Sequence, residues 1–194
     1  MLREKLSNYN LILASGSPRR QHFFKELDVP FTIDIKKVDE IYPDHLKGTQ
    51  ITDYLADLKS KCFSNLQAND LLITSDTIVW FEEKAIGKPI NKKDAFDMLK
   101  KMSGKEHEVF TSVSIKGKSF QSIFNDKTSV EFEEFTNEEI NYYLEKFTPF
   151  DKAGSYGIQD WIGLIGVKKI TGSYFNVMGL PVHKLYKELL KIAQ

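Results

Sequence analysis

The stretch Leu11-Ile12-Leu13-Ala14-Ser15-Gly16-Ser17-Pro18-Arg19-Arg20 decides how this chain is read. Its apolar half suits a buried strand, and its polar half ends that strand and starts a helix. Gly16 is expected to permit a tight turn that a side chain would obstruct. Ser17 is placed to cap the helix, and Pro18 to take its first position, where a missing N–H costs nothing. The free N–H groups of that turn, the helix dipole and Arg19/Arg20 then converge on one spot suited to an anion such as a polyphosphate. The same residues also fit a plain strand–turn–helix with solvated arginines. No G-x-x-x-x-G-K-[ST] occurs and no G-x-G-x-x-G follows the strand, so other segments must decide.

The rest of the first half alternates strand and helix. Helices are expected over Pro18–Leu27, near Gln50–Leu66 and over Lys92–Met102, each with apolar residues at helical spacing. Phe31–Ile35 alternates like a strand, Leu71–Thr74 suits a strand buried on both faces, and Ile78–Phe81 reads as another, ending in a Glu82-Glu83-Lys84 turn. The second half is richer in strands. Glu108–Ile115 and Ser119–Glu133 pair around Gly117-Lys118, and Ile162–Ile170 reads as a further strand. Thr136-Asn-Glu-Glu139 is a capping box that opens a helix carrying Ile140, Tyr143, Leu144 and Phe147, and Pro181–Ile192 closes the chain as an amphipathic helix. This order predicts one α/β domain over 1–194, an elongated mixed twisted sheet with flanking helices in two lobes around a central cleft.

Charge narrows the function. Among 194 residues, Lys+Arg and Asp+Glu both total 27, which disfavours a nucleic-acid protein held by phosphate attraction. A local basic cleft for a small anion stays open. Cys62 is the single cysteine, which excludes an intrachain disulfide and a multi-cysteine metal site, and it is expected to be a small hydrophobe on a helix face. The polar N-terminus and the short apolar run after it predict no targeting segment, no membrane partner and a cytoplasmic protein.

Candidate chemistry gathers around few residues. Ser75-Asp76-Thr77 falls between two apolar runs, and an aspartate there needs a hydrogen bond, an ion pair or a metal. Asp39-Glu40 offers further carboxylates, and paired carboxylates with phosphate oxygens suit Mg²⁺. Lys59 lies beside the apolar face of the second helix, and Lys88 sits between Gly87 and Pro89. Each of these also fits an ordinary turn, acidic loop or surface lysine. Asp151-Lys-Ala-Gly-Ser-Tyr-Gly-Ile-Gln159 can bring backbone and Gln159 against a base edge or serve as a plain connection. His22, His45, His107 and His183 show no ligand spacing and are assigned no chemistry.

Ser15-Gly-Ser-Pro-Arg-Arg20, Leu55-Ala56 with Lys59, Ser75-Asp-Thr77, Gly87-Lys-Pro89, Ser103-Gly104, Asp126-Lys-Thr128, Asp151–Gln159 and Gly172-Ser-Tyr174 with Gly179-Leu-Pro181 occur in that order. In this the chain resembles the Maf family of nucleoside triphosphate pyrophosphatases, from about residue 10 to the final helix. The resemblance implies a fold related to the inosine triphosphate pyrophosphatases and hydrolysis of a nucleoside triphosphate to monophosphate and pyrophosphate with a divalent metal, Mg²⁺ or Mn²⁺. It implies that Asp76 is catalytic, that Glu40 and Asp76 hold the metal, and that Ser15, Arg19, Arg20, Lys59 and Lys88 contact phosphates. Arg19, Thr77 and Gln159 match the base-reading residues of the branch acting on dTTP and UTP. The alternatives are a 7-methyl-GTP or other purine nucleotide pyrophosphatase, and a non-catalytic nucleotide-binding regulator of cell division. A homodimer is the assembly left open. Ser75 replaces the usual Ala or Gly, and Asp160-Trp161 stands where the branch usually has Gly, adding a charge and a large ring beside the proposed base site.

Overall fold

Every residue from 1 to 194 is described in the computed structural model. In chain order the elements are α1 (Leu2–Lys5), β1 (Asn10–Leu13), α2 (Pro18–Glu26), β2 (Thr32–Ile33), α3 (Thr49–Lys61), β3 (Asp70–Phe81), β4 (Lys84–Ile86), α4 (Lys92–Met102), β5 (Glu106–Lys116), β6 (Gln121–Phe132), α5 (Asn137–Phe147), α6 (Trp161–Gly166), β7 (Val167–Thr171), α7 (Tyr174–Val177) and α8 (Val182–Ile192). The seven strands form one mixed sheet in the order β2-β1-β3-β5-β6-β7, with β4 paired to β3 off this path. β1 runs parallel to both β2 and β3, with Leu11 opposite Leu71 and Leu13 opposite Ile73. β3–β4 and β6–β7 are antiparallel. The expected mixed α/β sheet with flanking helices is the one observed.

The residues pack as two compact units, one of 1–76, 111–126 and 179–194, the other of 77–110 and 127–178. In the first, α1 packs on α8, and Leu13, Phe24, Leu72, Ile73, Ala56 and Leu189 are wholly buried. In the second, α4 packs on α5, and the core gathers Val79, Leu99, Met102, Phe132, Tyr143 and Ile162. No helix is long and apolar enough to cross a membrane.

Several local expectations are corrected. Leu71–Thr74 and Ile78–Phe81 belong to one continuous strand, so Ser75-Asp76-Thr77 lies inside β3 rather than between two strands. The apolar run after Trp161 forms a helix before β7 begins, with Asp160 at its N-cap position. Helical geometry buries Ile162 completely and leaves Leu164 81% exposed, which an alternating strand pattern would not explain. Helix α3 stops at Lys61, short of Leu66, where Ser64 and Asn65 compete poorly for helix. The Phe31–Ile35 strand shrinks to Thr32–Ile33. Glu82 and Glu83 both take positive φ (48° and 59°), which turns the chain back into β4. The polar N-terminus hides α1, anchored by buried Leu2 and Leu6. The Thr136 capping box forms as expected, with Thr136 and Glu139 bonding each other's backbone.

Candidate active site

The turn after β1 is built by serines. Ser17 caps α2, its hydroxyl accepting from Arg20 N at 3.5 Å, while Ser17 N donates to Ser15 Oγ at 3.3 Å. Pro18 stands at the helix start. Gly16 departs from expectation: its φ is not positive, and an added Cβ would come only as near as 3.4 Å to Ile35 Cδ1. Neither the turn nor the packing requires glycine there.

Arg20 is bound into the framework. Its Nε donates to Gly179 O at 2.8 Å, and its Nη1 to Ser75 O at 3.1 Å and Ser15 Oγ at 3.3 Å. It thereby ties α2 to β3 and to the turn before α8. Burial pushes its pKa down to about 10; Asp76 and Glu40 oppose that shift, and Arg19 adds to it. Arg19, Glu40 and Asp76 are thus the charges that act on its guanidinium.

Lys59, in the last turn of α3, joins the two expected metal ligands. Its Nζ lies 2.6 Å from Asp76 Oδ1 and 2.8 Å from Glu40 Oε1. The Asp76 side chain is 8% exposed and that of Lys59 17%, whereas Glu40 comes from an exposed loop. The strand interior holds Asp76 because this lysine neutralises it. Thr74 Oγ1 donates to Ala56 O at 2.6 Å and fixes α3 beside β3, so the lysine and the aspartate keep their places. Ser75 Oγ is buried without a hydrogen-bond partner.

No group of three or more His, Cys, Asp or Glu side chains gathers anywhere to hold a metal ion. The donor set at this site is two carboxylates on one ammonium group. Two oxygens that share one nitrogen are near enough to share one small hard cation in its place, and carboxylate oxygen suits Mg²⁺ and Mn²⁺. The residues therefore fit the group, provided that the lysine moves.

The first unit thus brings together Ser15, Arg19, Arg20, Glu40, Lys59 and Asp76. The second holds Thr77, Lys88 and Gln159. Thr77 follows Asp76 along β3, half-buried. Lys88 is exposed, and Gly87 beside it accepts from Gly154 N at 3.0 Å, which pins the 151–159 loop to this segment. Gln159 is half-buried, and its Nε2 donates to Asp160 Oδ1 at 3.2 Å. Trp161 stacks edge-on against Tyr142, ring centroids 4.8 Å apart.

Two features were not read from the sequence. His107 is buried, with its Nε2 2.7 Å from the Tyr156 hydroxyl, and desolvation pushes its pKa down to about 4. Burial also raises the pKa of Tyr156. Asp160, noted only as a departure, accepts from Tyr143 OH at 2.8 Å. A lone histidine in a strand carries no signal of its own; Asp160 did carry one, its unusual position after Gln159. Cys62 is the C-cap of α3 rather than a face residue, its Sγ 3.7 Å from Leu58 O.

A Maf-like protein family model matches residues 10–192. The chain belongs to the Maf family. It is 56% identical over 190 residues to a dTTP/UTP pyrophosphatase of Christiangramia forsetii, covering 97% of each chain. It is 54% identical to a dTTP/UTP pyrophosphatase of Flavobacterium johnsoniae, covering 97% of this chain and 98% of that one. Among solved structures, a HAM1 protein from Coxiella burnetii superposes with a TM-score of 0.49 at 11% identity, covering 94% of this chain and 99% of the other.

Proposed function

We propose that this protein hydrolyses dTTP and UTP to the nucleoside monophosphate and pyrophosphate in the cytoplasm, using Mg²⁺ or Mn²⁺. Near-full-length identity of 54–56% to proteins of that activity supports the substrate. The observation that carries the chemistry is the buried Asp76 carboxylate, paired through Lys59 to Glu40 beside Arg19 and Arg20.

Glu40 and Asp76 would hold the cation. When bound it supplies charge neutralisation and a more acidic water. Asp76 accepts the proton of the water that attacks the α-phosphorus. The new bond is water oxygen to phosphorus, and the bond broken is phosphorus to the bridging oxygen, so the pair of electrons leaves with pyrophosphate. Lys59, released from its carboxylates, neutralises phosphate oxygen with Arg19 and Lys88, a positioning and electrostatic contribution. Ser15 and the uncrowded backbone at Gly16 receive oxyanions, while Arg20 mainly keeps that turn in shape. Thr77 and Gln159 read the base, through a hydroxyl and a side-chain amide.

The test is incubation with Mg²⁺ and a panel of triphosphates, with separation of products. Equimolar monophosphate and pyrophosphate from dTTP and UTP, with ATP and GTP cleaved poorly, is expected. Release of orthophosphate and diphosphate, or faster turnover of purine triphosphates including 7-methyl-GTP, would overturn it.

A further inference from the structure

Asp160 stands at the N-cap position of α6 with extended backbone (φ −84°, ψ 173°), yet its side chain makes no capping bond. An aspartate there ordinarily accepts from the first helical N–H groups. Here both oxygens turn to other donors. Oδ2 accepts from the Tyr143 hydroxyl at 2.8 Å, and Oδ1 from Gln159 Nε2 at 3.2 Å. The Tyr143 hydroxyl is itself oriented, since it accepts from Gly157 N at 3.0 Å while donating to Asp160. Lys152 Nζ lies 3.8 Å from Oδ2. Gly157 supplies the room: a Cβ there would fall 2.5 Å from Asp160 Oδ2 and 2.8 Å from Gln159 Nε2.

A carboxylate can only accept a hydrogen bond. It therefore selects one of the two orientations of the neighbouring amide, the one with Nε2 toward it and Oε1 away. The opposite flip would set two acceptors against each other. In the selected orientation Gln159 Oε1 is buried and has no hydrogen-bond partner in the chain. An orphaned buried acceptor is costly, and it is satisfied by a ligand that brings a donor.

We propose that Asp160 is a positioning residue for base selection: it locks the Gln159 amide so that Oε1 faces the base as an acceptor, matched to an N3–H such as that of uracil or thymine. This rests on the reading of Gln159 as a base-reading residue. Cytosine carries an acceptor at N3 and meets the locked oxygen with repulsion. An asparagine at 160 offers either an N–H or a carbonyl, so it preserves shape and releases the lock.

The experiment measures kcat/KM for UTP and CTP with the full-length protein, its Asp160→Asn and Gln159→Ala variants and their combination. The UTP-to-CTP ratio should fall about tenfold in Asp160→Asn, chiefly through the KM for UTP. In the Gln159→Ala background the same change should leave the ratio where it is. Tyr143→Phe, which removes one donor from Asp160, should produce a smaller fall and serves if Asp160→Asn does not fold. An unchanged ratio in the single variants, or an equal fall with and without Gln159, overturns the proposal. A wild-type protein that turns over neither UTP nor dTTP overturns the functional reading itself; turnover of UTP with no preference over CTP, or a preference untouched by Asp160→Asn, overturns only the role of Asp160.

Discussion

Lys59 offers one ammonium group to two carboxylates, and one of them, Asp76, lies in the interior of a strand. Removing the lysine leaves that carboxylate buried without its counter-charge, and breaking such a pair costs about 3–5 kcal/mol. Lys59→Met should therefore lower the melting temperature, and adding Asp76→Asn should restore most of the loss, because the unpaired charge is then gone. The same pair of variants probes the cation. On the proposed reading Mg²⁺ displaces the wild-type lysine and meets no such competitor in Lys59→Met, so millimolar Mg²⁺ should raise the melting temperature of Lys59→Met more than that of wild type. Equal shifts, or a shift that survives Asp76→Asn, would remove Glu40 and Asp76 as ligands. Activity gives the complementary reading: Asp76→Asn keeps size and should lower turnover at least ~10²-fold, the lower range for losing a general base. Near-normal turnover from folded Asp76→Asn would contradict it. Asp76, Glu40 and Arg20 were legible in the sequence as charged residues beside the ends of apolar runs, and Lys59 as one beside the apolar face of a helix. Their mutual contacts were not, because Lys59 and Asp76 are 17 positions apart and meet only once α3 packs beside β3. Arg20, a phosphate contact by resemblance, also donates Nε and Nη1 to protein acceptors, a framework role that no sequence signal announced.

Elements with capping or long periodicity were readable. Helices α2, α4 and α5 begin within one residue of the sequence expectation because Ser17, Asn91 and Thr136 accept from the third helical N–H of each. Short apolar runs were not, since four to six residues satisfy strand and helix patterns alike. The run after Asp160 became α6 through two small residues rather than through periodicity. A Cβ on Gly163 would lie 1.9 Å from the Ile158 carbonyl oxygen, and one on Gly166 would lie 2.0 Å from the Phe135 ring. The first obstacle is backbone and cannot rotate away. Gly163→Ala should thus push α6 off the 151–159 loop, at a cost beyond the usual 1–3 kcal/mol of overpacking. A drop in melting temperature together with a weakened distinction between UTP and CTP is expected, since Gln159 lies on the same loop. A Gly163→Ala protein that melts and selects like wild type would show that the backbone yields without consequence. β3 was misread for the opposite reason: a polar triplet inside a strand looks like a break until its partner, Lys59, is known.

At the scale of the whole molecule, the acid-sensitive point is a titratable group enclosed by packing. His107 is 2% exposed, with its ring 4.7 Å from that of Phe132 and its Nε2 bonded to the Tyr156 hydroxyl. Desolvation alone depresses its pKa to about 4, below the ordinary 6.5. The sign follows from proton counting. Above pH 6.5 neither folded nor unfolded chain binds a proton at His107, so the histidine imposes no penalty. Between 6.5 and 4 the unfolded chain binds it and the folded chain does not, so stability falls as the pH falls. By pH 5 the loss reaches about 2 kcal/mol, or roughly 4–8 °C in melting temperature for a chain of this size. His22, His45 and His183 are exposed and lack this enclosure. His107→Gln, which retains a polar group toward Tyr156, should be less stable than wild type at pH 7.5 but nearly flat from pH 7 to 5. Calorimetric melts at half-unit intervals check it: parallel curves for the two proteins across that window would locate the acid sensitivity elsewhere in the molecule. Converging curves would locate it on this one ring, whose enclosure also holds Tyr156 and, through it, the loop that carries Gln159.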